Sequence, residues 1–327
     1  MFFVTSGVLL SAIADLFASP LYLMKMTQLF CAYKGEEAIV FHRRGKRKHA
    51  LTALGIVLWL LAIAAASVPV TRRFDTLFPQ SSQVRVIAHR GGGAEGAENT
   101  VSGLEKAWEL GAYGSEIDIQ RTKDGYYVLN HDGNFQRVAG EKRKPQEMSL
   151  EEIKALSVDG EPVATLEEAL EASRGNGVLF IELKGETADQ QMADDAVEAV
   201  KEYGMEQECV LISLKYELID YIEQNHPEIQ TGYLTFASFG DTAKLNCDYL
   251  ALEEESATAD AIAAAHKQGK KLLVWTANER KSQKHFFCSM ADGVITDEIT
   301  QAMDVLGELS LRSDLQRMID GLKELLS

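Results

Sequence analysis

The 327-residue chain has few cysteines, no repeats and, over most of its length, no excess of positive charge. Its four cysteines, Cys31, Cys209, Cys247 and Cys288, show neither CxxC nor CxH spacing. That argues against a zinc cluster or a disulfide framework, so they read as small apolar residues in strands and helices. No internal repeat and no low-complexity segment is present. Residues 1–80 carry nine basic and four acidic side chains (+5), whereas the remainder carries 24 basic and 45 acidic ones (−21). Such an acidic domain repels a polyphosphate duplex, which excludes nucleic acid as a partner. What is present, 46% hydrophobic and 25% charged residues, suits a packed core.

The first 80 residues read as a membrane segment with one or two transmembrane helices. Residues 51–70, LTALGIVLWLLAIAAASVPV, contain no formal charge and are long enough to cross a hydrocarbon core of about 30 Å. Residues 3–24 form the weaker span, because Asp15 and Pro20 interrupt them and an intramembrane Asp is costly. Between the two lie seven Lys and Arg, five of them within residues 43–48. A basic loop of this kind stays on the cytoplasmic side, which places the acidic domain on the other face of a cell membrane. The opening residues lack the positive region of a cleaved signal peptide, and the start in an apolar stretch suggests the tail of a longer membrane module.

After a polar linker, short β-rich runs alternate with helical patterns. The runs lie near 84–88, 113–120, 177–183, 209–213, 230–235, 248–252, 271–276 and 293–296. Alternation predicts a parallel sheet covered by helices. Eight runs over this length suit an α/β fold of the TIM (β/α)8 barrel type at residues 81–305, with an open doubly wound sheet as the alternative. DGYYVLNHD at 124–132 reads as an extra strand pairing back on the second run. SLEEIKAL at 149–156 and TLEEALEA at 165–172 carry the capping-box pattern of two short helices. Residues 306–327 read as a C-terminal helix that caps the barrel or offers a partner surface.

The chemistry concentrates at strand ends. In SEIDIQ, Glu116 and Asp118 lie two apart and therefore share one face, while Ile117 and Ile119 take the other. Glu182 and Lys184 repeat this spacing in FIELKGE. Carboxylates facing one interior repel unless a cation or a proton lies between them. The set predicts an oxygen-ligated divalent cation, Mg²⁺ or Ca²⁺, beside an anion site. His89 and Arg90 end the first run and His131 ends the run YYVLN, each before a glycine-bearing loop. Active sites of parallel α/β folds collect at the carboxyl ends of strands, which would bring these groups to the acids. Two imidazoles, a guanidinium, a lysine and a cation suit phosphoryl transfer, one histidine removing a proton and the other supplying one. His226, His266 and His285 read as lacking acidic partners.

At these residues the sequence resembles the glycerophosphodiester phosphodiesterase family. The ordered motifs are His89-Arg90-Gly91, Glu98-Asn99-Thr100, Glu116 with Asp118, Asp124-Gly125, His131-Asp132 and Glu182 with Lys184, and the likeness extends through VWTAN and DGVITD. Ala97 stands where the motif has proline, and Leu214 where phenylalanine is usual. The resemblance implies Glu116, Asp118 and Glu182 as metal ligands and His89 and His131 as the acid/base pair. Arg90 and Lys184 would hold the phosphate, and Trp275 would line the substrate pocket. It further implies hydrolysis of a glycerophosphodiester, or of a related lipid-derived substrate, to glycerol 3-phosphate and an alcohol. Two rival readings are a phospholipase C or D type action on lysophospholipid or another intact lipid and a non-catalytic glycerophosphodiester sensor.

Overall fold

A computed structural model describes residues 25–27, 30, 33–34, 57–58, 61, 65, 68, 84–236, 244–317 and 319. The chain divides into two compact units, Gln80–Leu311 and Met1–Pro79 with Arg312–Ser327. In the latter unit the described residues before position 80 are helical, as are 314–317 and 319. The span read at 3–24 and the basic cluster at 43–48 lie outside the described residues. So does the span at 51–70, apart from five helical positions. Among the described residues no helix is long and apolar enough to cross a membrane.

The larger unit is a (β/α)8 barrel. Its parallel staves are β1 (Arg85–Ala88), β2 (Gly114–Arg121), β6 (Val178–Leu183), β7 (Cys209–Ser213), β8 (Gln230–Thr235), β9 (Tyr249–Glu253), β10 (Lys271–Trp275) and β11 (Gly293–Thr296). They are hydrogen-bonded in sequence order, and β1 closes the ring by pairing with both β11 and β2. Closure leaves none of the eight staves at an unpaired edge. β3 (Tyr127–Leu129) pairs antiparallel with the end of β2, as the turn at Asp124-Gly125 predicts. A small hairpin, β4 (Ser157–Val158) with β5 (Glu161–Pro162), lies in the same long β2–β6 connection.

Nine helices are described in this unit: α1 (Val101–Glu109), α2 (Gln136–Ala139), α3 (Leu150–Lys154), α4 (Leu166–Ser173), α5 (Gln190–Glu202), α6 (Tyr216–Asn225), α7 (Ala259–Lys267), α8 (Arg280–Phe287) and α9 (Ile299–Ser310). The two capping boxes form as their spacing predicts, Ser149 with Glu152 opening α3 and Thr165 with Glu168 opening α4. Residues 306–310 continue α9, and the chain after Leu311 belongs with the other unit.

Alternation along the strands builds two apolar layers. Ile117, Ile119, Ile181 and Leu183 face outward into a buried cluster that includes Leu166, Leu170 and Met192 of the covering helices. Ile87, Phe180, Val210, Ile212, Leu273 and Ile295 fill the barrel interior. Parallel register sets Glu116 beside Phe180 and Asp118 beside Glu182. The fully buried Phe180 ring thus lies on the inward face one pleat below Glu182. Its truncation to alanine is expected to cost about 3–5 kcal/mol.

Candidate active site

The sheet dictates the place of the acids. Glu116 and Asp118 on β2 and Glu182 at the neighbouring position on β6 are all buried, and one oxygen of each lies within 4.8 Å of the others. Lys184 Nζ is 3.0 Å from Asp118 Oδ1 and 3.0 Å from Glu182 Oε2. It offsets one of the three negative charges. Burial and the fields of Asp118 and Glu182 push the Glu116 carboxyl well above its usual range. Burial and Asp118 likewise raise Glu182 to about 7. Burial also works against ionised Asp118, but Lys184, His131 and the Asn99 hydrogen bond prevail and hold it low. Burial alone would lower the Lys184 pKa, yet the three carboxylates raise it.

A divalent cation fits this cluster. Glu116 Oε1 is buried without a hydrogen-bond partner, the donors are all hard oxygens, and their separations can be spanned by metal–oxygen bonds of roughly 2.0–2.6 Å. Lys184 leaves two of the three charges for such an ion to offset.

The loop after β1 brings the first histidine and arginine to the acids. His89 Nε2 lies 4.0 Å from Glu116 Oε2, while its Nδ1 meets Asp297 Oδ1 at 2.7 Å. The Arg90 backbone N–H donates to Glu116 Oε2 at 2.9 Å, its Nη1 donates to Glu98 Oε1 at 3.2 Å, and its buried Nε has no partner. The glycines that follow are more than a flexible turn. Gly93 adopts φ +60, and a Cβ there would overlap the Asp297 carbonyl, so only glycine lets this loop approach the end of β11. Asn99 completes the loop: its Nδ2 donates to Asp118 Oδ2 at 2.9 Å and its Oδ1 accepts the Asp118 backbone N–H at 3.1 Å.

His131 stands just beyond β3, with Nδ1 at 2.9 Å from Asp132 Oδ1. Burial lowers its pKa against the opposing field of Asp118, so the neutral imidazole is favoured near neutrality. Trp275 occupies the carboxyl end of β10. There its Nε1 donates to Ala251 O at 3.1 Å and its ring meets Phe236 edge-on at 5.0 Å. The barrel mouth therefore gathers His89, Arg90, Glu116, Asp118, His131, Glu182 and Lys184 into one connected set, with Trp275 at the end of another stave.

The chain is similar in sequence and in fold to known proteins. The model of the glycerophosphoryl diester phosphodiesterase family matches residues 89–301. The chain belongs to the glycerophosphoryl diester phosphodiesterase family. A glycerophosphodiester phosphodiesterase of Caldanaerobacter subterraneus is 28% identical over 232 residues, covering 65% of this chain and 93% of the relative. The structure of an Oleispira antarctica phosphodiesterase in complex with sn-glycerol-3-phosphate is 25% identical with a TM-score of 0.64, covering 69% of this chain and 98% of that one. A glycerophosphodiester phosphodiesterase structure from Thermotoga maritima gives 27% identity and a TM-score of 0.59, with 68% and 98% covered.

In this phosphodiesterase, sequence reasoning left several supporting residues without a role: Asp297 behind His89, Asn99 behind Asp118, and Asp132, Glu98 and Arg137 around His131 and Arg90. All but Arg137 stood inside quoted motifs; only their partners were invisible. His226 and His266, read as lacking acidic partners, do have them, Asp194 and Asp292, each at 2.8 Å. Both partners lie far along the chain and come near only through folding.

Proposed function

We propose that the chain hydrolyses glycerophosphodiesters to glycerol 3-phosphate and an alcohol, using His89 and His131 as the acid/base pair and a divalent cation held by Glu116, Asp118 and Glu182. The observation that carries this reading is the convergence of three buried carboxylates, Lys184, Arg90 and two carboxylate-held imidazoles at one mouth of the barrel. The product bound to the Oleispira relative supports the same substrate class.

In this reading the phosphodiester lies against Arg90 and Lys184, whose charges neutralise the nonbridging oxygens as negative charge builds on them. Bound among the three carboxylates, the cation would act as a Lewis acid toward a phosphoryl oxygen. One imidazole, with Nδ1–H engaged by its carboxylate, accepts through Nε2 the proton of the attacking hydroxyl. A new P–O bond forms, the bond to the departing alcohol breaks, and the other imidazole in its protonated form delivers a proton to that oxygen. The attacking hydroxyl belongs to water or to the substrate's own glycerol.

We further place the enzyme at a cell membrane with the barrel on the extracytoplasmic side, a reading supported by the uncharged stretch 51–70 and the basic cluster 43–48. Its substrates there would be deacylated lipid head groups or related diesters. The test is release of glycerol 3-phosphate from glycerophosphocholine by the detergent-solubilised full chain, with and without chelator, and with His131→Ala and Glu116→Ala. Loss of turnover in both variants with the fold retained is expected; undiminished turnover in either counts against the assignment. Lysophospholipid as a parallel substrate separates the phospholipase reading, and binding without turnover would indicate a sensor.

A further inference from the structure

Arg137 joins four groups at the barrel mouth. The residue lies on the short helix α2, with its side chain about half exposed. Its Nη1 and Nη2 donate to the two oxygens of Glu98, each at 2.7 Å. Its Nε donates to Asp132 Oδ2 at 2.8 Å, and Nη2 also reaches Asp132 Oδ1 at 3.2 Å. Both carboxylates have second partners. Glu98 accepts from Arg90 Nη1 at 3.2 Å, and Asp132 meets His131 Nδ1 at 2.9 Å. A continuous chain of contacts therefore runs from Arg90 through Glu98, Arg137 and Asp132 to His131.

We propose that Arg137 is a positioning residue that fixes His131 and Arg90 relative to each other by bridging the loops after β1 and β3. The proposal rests on the function assigned above. A planar guanidinium presents donors on two edges and can grip two carboxylates at once, whereas an ammonium is a point charge with no fixed fork. Arg137 makes the bridge itself, and its removal leaves Asp132 anchored only to His131 and Glu98 only to Arg90, with nothing tying the two pairs together. Asp132 then no longer fixes the tautomer and ring angle of His131. Glu98 likewise no longer aims the Arg90 guanidinium. Small losses of alignment between reacting groups are costly, because rate depends on near-attack geometry.

A purely structural role predicts something different. Solvent-exposed ion pairs contribute little to stability, so the fold should hardly notice the loss of this one. Kinetics should. Arg137→Gln and Arg137→Lys in the detergent-solubilised full chain, assayed on glycerophosphocholine, are expected to lower kcat by roughly 10–100-fold with a smaller change in KM. Their melting temperatures should stay within about 3 °C of the unsubstituted protein. Arg137→Ala should regain activity with added guanidinium but not with sodium at equal ionic strength. A kcat within twofold of the unsubstituted value in either Gln or Lys variant overturns the proposal, as does loss of the fold in both. Absence of activity in the unsubstituted protein would strike the functional assignment alone. The proposal is then read from the ring ¹⁵N shifts of His131. A single tautomer that becomes mixed in Arg137→Gln supports it, and an unchanged tautomer overturns it.

Discussion

His89 Nδ1 and Asp297 Oδ1 lie 2.7 Å apart although 208 positions separate them in the chain. The carboxylate is itself held in place: Asn278 Nδ2 donates to its other oxygen at 2.6 Å, and its own backbone N–H donates to Asn278 Oδ1 at 2.8 Å. With Nδ1–H committed to Asp297, the lone pair of His89 sits on Nε2, the nitrogen facing Glu116. Barrel closure makes this pair possible, because β1 and β11 are neighbours only in the ring.

Asp297→Asn is expected to lower kcat by roughly 10²-fold or more, since an amide that offers N–H to Nδ1 inverts the tautomer. The KM for glycerophosphocholine should change little, because the Asp297 side chain bonds to His89 and Asn278 rather than to Arg90 or Lys184. Steady-state kinetics on purified protein decide it, and an Asn variant with near-normal kcat would remove His89 from the acid/base pair.

Chelation should abolish turnover, and titration with Ca²⁺ or Mg²⁺ should restore it at one cation per chain. Glu116→Gln should weaken that cation by at least 10-fold in isothermal calorimetry, because it deletes a charge from a donor set that lies within 4.8 Å. Equal affinity in the variant and the unsubstituted protein would place the ion elsewhere.

The acids also predict a pH signature. Without added cation, Glu182 sits at about 7 rather than its ordinary 4.5 because of burial and the nearby Asp118. The folded state therefore holds that proton more tightly than the unfolded chain does. This contribution to stability is fully present below pH 4.5 and is lost as pH rises through about 7, a change of roughly 1–3 kcal/mol. Chelator-treated Glu182→Gln should accordingly lose less stability than the unsubstituted protein between pH 5 and pH 8. Saturating cation should reverse the trend for the unsubstituted protein, since the ion requires deprotonated ligands. Denaturant unfolding at the two pH values measures both.

Asn99→Ala should cost about 1–3 kcal/mol of stability by orphaning a buried carboxylate oxygen and a backbone N–H of Asp118. It should also weaken the cation by roughly 10–100-fold, because Asp118 would lose the partner that fixes its orientation. Asn99 adopts φ +55, a left-handed conformation that asparagine tolerates better than most residues, so the alanine adds backbone strain. Parallel unfolding and cation-titration curves record the two effects, and an unaltered cation constant would make Asn99 purely structural.

Much of this was legible beforehand. Short β-rich runs alternating with helical patterns marked the eight staves, and the two-residue spacing of Glu116 with Asp118 and of Glu182 with Lys184 placed each pair on one face. The Ser149 and Thr165 capping boxes announced α3 and α4 because their hydrogen bonds close within three residues. Asp297, Asn278 and the link from Arg137 to Glu98 were harder, since a hydrogen-bond partner 19 to 208 positions away leaves no local pattern. His226 and His266 show the same limit, their aspartates being unrecognisable until the helices and strands are docked.

The sequence by itself determined the alternation of strands and helices, the shared faces of Glu116 with Asp118 and of Glu182 with Lys184, and the kinds of chemical group at the strand ends, because these follow from local composition and the two-residue period of a strand. Only the tertiary structure decided which of those groups meet. Closing the ring sets β11 beside β1, so that Asp297 reaches His89, and the parallel register of β2 with β6 sets Glu182 beside Asp118. Removing these carboxylates from water then shifts Glu116 and Glu182 upward while Lys184 keeps Asp118 ionised.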